Sequence, residues 1–90
     1  KKARAFVKEV YLLAGNFPKE EKYGLASQIQ RAVVSIPSNI AEGAGRVTSN
    51  EFHYFLNVAI ASSFEVETQL ILAFDLNYIS EEDLEYALIN

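Results

Sequence analysis

The sequence predicts an all-α protein, an antiparallel up-down-up-down four-helix bundle whose fourth helix reads as truncated. Three observations predict it. Apolar residues recur at spacings of three and four through most of the chain. Two helix starts are written plainly, at Thr48 and at Ser80. No stretch reads as a strand, and the connections between helical stretches are short, which sets consecutive helices side by side and antiparallel. Residues 1–90 read as one domain, with no linker and no low-complexity tract.

The first helix is predicted from about Ala3 to Asn16. Phe6, Val7, Val10, Tyr11, Leu13, Ala14 and Phe17 give it a wide apolar face, and Gly15-Asn16 is its stop. Pro18 opens a short helical start over 18–23, with Glu20 and Glu21 where a helix N-terminus favours acids. Helix 2 proper is predicted from about Tyr23 to Ala44, on a stripe of Leu25, Ile29, Ala32, Val33, Ile36 and Ile40. Pro37 lies inside it. Lacking an N–H for the Val33 carbonyl, it predicts a kink, with Ser38 and Asn39 bonding the freed backbone. Gly43 and Gly45 offer the left-handed conformation that ends a helix.

Thr48-x-x-Glu51 is a capping box and starts helix 3. Nothing breaks that helix for about 28 residues, or about 42 Å. Its apolar residues, from Phe52 through Ala61 and on to Phe74, cover nearly the whole circumference. Asn77 suits the left-handed position after it. Ser80 caps helix 4, Glu81, Glu82 and Asp83 fill the first turn, and Leu84, Ala87 and Leu88 are its expected inner face.

Charge is divided along the chain. All eight Lys and Arg fall in residues 1–46, and residues 47–90 carry eight acids and no base. The first half is therefore basic and the second strongly acidic, within a net charge of −4. Two such halves attract one another within a chain or between copies. The absence of cysteine excludes disulfides and thiolate metal sites, and fits a cytoplasmic protein. The charged N-terminus is followed by too short an apolar run for a signal peptide or a span, so no membrane is expected.

Catalytic chemistry finds no foothold. His53 is the sole histidine, and Glu51-Phe52-His53 lacks the Glu-x-x-His spacing of di-iron bundles. No metal, cofactor or catalytic residue is expected. Gly43-x-Gly45 lacks the Lys-Ser/Thr and the preceding strand of a phosphate loop. Ser35 and Ser38 lack a nucleophile elbow. Two readings remain for the stretch around Pro37. In one, Pro37, Ser38, Asn39, Glu42, Gly43 and Gly45 are structural, a bent core helix and its exit. In the other, Ser38, Asn39, Glu42 and Arg46 face a ligand. Thr48, Glu51 and Ser80 are read as helix caps. Arg4, Lys8, Arg31 and Arg46, with Lys1 and Lys2, form the candidate basic face for RNA or DNA phosphates.

Several of these residues also carry a resemblance. Val10-Tyr11, Phe17-Pro18, Tyr23-Gly24-Leu25, Ser27-Gln28-Ile29, Arg31-Ala32, Val34 to Gly43, Gly45-Arg46 and Phe55-Leu56 resemble the bacterial four-helix bundle proteins encoded in intervening sequences of 23S ribosomal RNA genes, often labelled ribosomal-protein-like. The chain also looks like the related accessory protein of diversity-generating retroelements, which works beside a reverse transcriptase with nucleic acid. The resemblance implies an up-down bundle assembling into a ring, as a pentamer. It departs at Gln30-Arg31, where the family often has consecutive arginines, and at Ala44, where it often has a bulky residue.

The residues alone argue for a homo-oligomer. A helix apolar all round must be covered all round, and one small bundle covers only part of it. The expected function is a non-enzymatic oligomeric scaffold or interaction module. The alternative is an RNA- or DNA-associated accessory protein acting through the basic face of helices 1 and 2.

Overall fold

A computed structural model describes residues 3–89, and these form four α-helices with no strand among them. They are α1 (Ala3–Gly15), α2 (Leu25–Ala44), α3 (Ser49–Asp75) and α4 (Glu81–Ile89), with one turn of 3-10 helix at Lys19–Glu21 before α2. The molecule measures 44 × 26 × 18 Å.

The main packing is α2 against α3, and the residue pairs across it fix its direction. Gly43 meets Phe52 and Phe55, Ser35 meets Ser62, Gln28 meets Gln69, and Glu21 meets Tyr78. Residues late in α2 therefore lie beside residues early in α3, so the two helices run in opposite directions. Along α1 and α2 the order is likewise reversed. Arg4 and Lys8 share a cavity with Pro37, whereas Ala14 and Gly15 share one with Ala26 and Gln30. The short α4 touches both α3 and α1.

Each helix contributes a narrow stripe to the core. Val10, Ala14 and Phe17 come from the first helix and its exit, Ile29 and Val33 from α2, Val66, Leu70 and Ala73 from α3, and Ile79 and Ala87 from the end of the chain. Three expected core residues stay outside. Tyr11 is exposed because it lies about 100° around the helix from Val10. Ile40, in the C-terminal part of α2, is exposed. Leu88 is exposed while Ala87 takes the inner position on α4.

Local signals explain most helix ends. Thr48 Oγ1 accepts from the Glu51 N–H at 3.1 Å. The Glu51 carboxylate accepts from the Thr48 hydroxyl, rather than from the Thr48 N–H that a full capping box uses. Ser80 Oγ accepts from the Asp83 N–H at 3.0 Å. Asn77 has φ 65°, and Tyr78 N–H and Asn77 N–H bond back to Ala73 and Phe74, which is a Schellman ending.

Around Pro37 the difference from expectation lies in the glycines. The α-helix runs through Pro37 without a break, and Asn39 Nδ2 donates to the Ser35 carbonyl and hydroxyl, both at 2.8 Å. No described glycine is left-handed. Gly45 sits at φ −87°, and α2 ends on tight bonds from Gly45 N–H to Glu42 and from Arg46 N–H to Gly43. Gly43 serves a close approach of helices instead. A Cβ placed there would lie 3.1 Å from the Phe55 Cβ and 3.4 Å from the Phe52 carbonyl.

Candidate interaction surface

The polar residues of the α2–α3 seam bond mainly to one another. Ser35 and Ser62 hydroxyls are 2.9 Å apart, and Gln69 Nε2 donates to Glu65 at 3.2 Å and Gln28 at 3.5 Å. Asn39 is committed to Ser35. Glu42 pairs with Arg46, whose guanidinium also lies over the Phe55 ring, 4.7 Å from its centroid. Of the Pro37–Arg46 stretch, Asn39, Glu42, Gly43 and Arg46 are thus occupied within the chain, and Ser38 is exposed. His53 is exposed beside Phe52, and no group of three possible metal ligands occurs among the described residues.

The four basic candidates fall in three places. Arg4 and Lys8 border a groove between α1 and α2. Arg31 borders an adjoining cavity and donates to Ser27 at 2.7 Å. Arg46 lies apart, paired with Glu42 against α3. Lys1 and Lys2 lie outside the described residues.

The groove between α1 and α2 is mainly apolar. Its cavity is about 410 Å³, lined by Val7, Tyr11, Leu12 and Pro37 besides the two cations. Tyr11 also borders the neighbouring cavity of about 500 Å³, with Val34 and Arg31. Positions 4, 8, 11 and 12 share one helix face, so the α1 spacing brings two charges and two large apolar residues together. Assigning Tyr11 to the core hid this. The signal that finds it is the spacing from Val10, which selects Leu13, Ala14 and Phe17 for the interior.

A second apolar surface belongs to α3. Ala59, Ser62, Val66, Gln69, Leu70 and Ala73 form its buried stripe. Ile60, Phe64 and Ile71 occupy the far side, and Phe64 is 64% exposed. Tyr54 and Leu72 flank them and are exposed as well. Glu67 and Asp75 lie on the same outer face, by spacings of three and four from Phe64 and Ile71.

A family model for the 23S rRNA-intervening sequence protein matches residues 1–89. The chain belongs to that family. The match spans both surfaces and all four helices of this intervening-sequence protein. A search of the curated proteins finds no match.

Proposed function

We propose that this intervening-sequence protein is a non-enzymatic interaction module that works as an assembly of identical copies in the bacterial cytoplasm. The observation that carries the reading is the outer face of α3. Ile60, Phe64 and Ile71, with Tyr54 and Leu72 beside them, are exposed on the longest helix, and no other described helix covers them. Large apolar side chains exposed together on one helix face mark an interaction site. The helix also has the length and apolarity of a membrane span. Glu65 and Glu67 near its centre, and its hydrogen bonds to α2, favour a protein partner over lipid. A ring of five is the count that the family resemblance implies.

Light scattering tests this reading. The expected result is a mass several times that of the 10.1 kDa chain at micromolar concentration, reduced by Phe64→Glu. A single-chain mass that stays constant on concentrating overturns it.

A second reading has one observation in its favour. Arg4 and Lys8 sit one turn apart with no carboxylate pairing either among the described residues, so they are available to phosphates. Binding to cellular RNA and DNA at two salt concentrations separates the readings. Phosphate-driven binding falls steeply with salt, and an apolar interface does not.

A further inference from the structure

We propose that the α1–α2 groove receives the outer face of α3 from a second copy of this chain. This inference rests on the self-association reading and names the surface that completes it.

The groove defines its occupant by shape and charge. It is an apolar groove lined by Val7, Tyr11, Leu12 and Pro37 together with Arg4 and Lys8, and it adjoins a second cavity that shares Tyr11 and carries Arg31. A fitting partner is a helix with an apolar stripe and acids beside it, the arrangement of a helix laid in a groove. The outer face of α3 is such a helix. Ile60, Phe64 and Ile71 supply the stripe, Glu67 and Asp75 supply the acids, and α3 carries no Lys or Arg. The lengths also agree. Ile60 to Asp75 spans about 24 Å and the 13 residues of α1 span about 20 Å.

Other pairings within the chain fit less well. Two α3 faces laid together would set acids against acids with no base on either side, a like-charge contact that disfavours the complex. The α4 helix is acidic but has only nine residues, and its inner position is already used by Ala87. The groove and the α3 face are different surfaces of one molecule, so their contact is head-to-tail. Such a contact closes into a ring when the rotation permits.

The absence of cysteine makes a direct test available. Leu12→Cys and Phe64→Cys are made separately, one carrying a mass tag, and both sites are exposed, so the fold is undisturbed. Circular dichroism checks that each variant keeps the helical content of the parent. The two are mixed, oxidised and resolved without reductant. The expected result is a covalent dimer containing one of each variant, far more abundant than either self-linked product. A companion variant, Arg4→Glu with Lys8→Glu, is expected to weaken self-association by about tenfold or more.

Phe64→Cys linking mainly to itself would overturn the groove assignment while leaving self-association intact. The same conclusion follows if the assembly forms and neither pairing links. A parent protein that is monomeric by light scattering overturns this inference and the self-association reading together.

Discussion

The Tyr78 hydroxyl donates to Glu21 Oε2 at 2.7 Å, joining residues 57 positions apart at the same end of the molecule. The other Glu21 oxygen accepts from the Leu25 N–H at 3.0 Å and so caps α2, whose N-cap position is a glycine with no side chain to offer. Gly24 makes room for this, because a Cβ there would lie 2.8 Å from Glu21 Oε1. Phe17 packs on the Tyr78 ring, with centroids 5.3 Å apart. One carboxylate thereby ties the start of α2 to the turn between α3 and α4. Gly24→Ala is expected to push the carboxylate off Leu25 and lower the melting temperature. Tyr78→Phe keeps the ring contact, removes only the hydroxyl bond, and is expected to cost less.

The same contact predicts a pH dependence. The Leu25 N–H and then the Tyr78 hydroxyl hold the Glu21 carboxyl below its ordinary value of 4.5. Its contribution to stability is therefore complete above 4.5 and is lost as pH falls through the lower folded value. For Tyr78 the sign is opposite. The bond to Glu21 raises its pKa above the ordinary 10.0, so its contribution is complete below 10 and is lost as pH rises beyond. Urea unfolding across pH should show the stability gap between the parent and Tyr78→Phe narrowing at both extremes. A constant gap would refute the assignment.

Gly43 and Gly15 make a matched pair. Alanine in a helix is favoured over glycine by about 1 kcal/mol, but crowding a packed contact costs about 1–3 kcal/mol. At Gly43 the atoms that must yield are the Phe55 Cβ and the Phe52 carbonyl, which are fixed to the α3 backbone. Gly43→Ala is expected to destabilise by about 1 kcal/mol net. At Gly15 nothing lies within 4 Å and φ is negative, so Gly15→Ala is expected to stabilise by about 0.5 kcal/mol. Chemical denaturation of both variants checks the contrast.

What the sequence made legible divides by range. Thr48, Ser80 and Asn77 act on backbone within five residues of themselves, and rules of local chemistry located all three. The Glu21 cap was not legible. The acceptor stands four residues before the N–H it serves, and half its purpose depends on Tyr78 in another part of the chain. Gly43 was misread for the same reason. A glycine near a helix end satisfies the local rule for a left-handed stop, and only the position of Phe55 reveals the close approach. At the candidate surface, the excess of apolar residues on α3 was visible from composition. The groove was not, because it depends on Pro37 lying beside Arg4 and Lys8.

The caps of α3 and α4 carry the next prediction. Thr48 and Ser80 each accept one backbone N–H that the helix itself leaves unpaired. Thr48→Ala and Ser80→Ala are each expected to cost about 1 kcal/mol. Replacing Thr48 with Asp retains an acceptor at the same position and should recover most of the loss. Urea midpoints at constant slope measure it. A Thr48→Ala variant of unchanged stability that no longer self-associates would move Thr48 from a cap to a contact.

Gln69 carries the last prediction, which runs against the usual direction for core substitutions. Its side chain is buried on α3, and its Nε2 reaches Glu65 and, at a long 3.5 Å, Gln28. Its Oε1 is buried with no hydrogen-bond donor. A buried acceptor left unpaired costs about 1–3 kcal/mol, and the two bonds from Nε2 are made to partners that water can also satisfy. Glu65 and Gln28 are both exposed, so water takes over their bonds when Gln69 is replaced. The residues around it in the core, Val66, Leu70 and Ala73, are apolar. Gln69→Met keeps the length and volume and removes the unpaired oxygen. It is expected to stabilise the fold by about 1 kcal/mol, read as a higher urea midpoint. Gln69→Ala separates this from a simple volume effect, since the cavity it leaves should cost about 2 kcal/mol or more. If the methionine variant also loses stability, the Gln69 amide contributes more through Glu65 and Gln28 than its buried oxygen takes away.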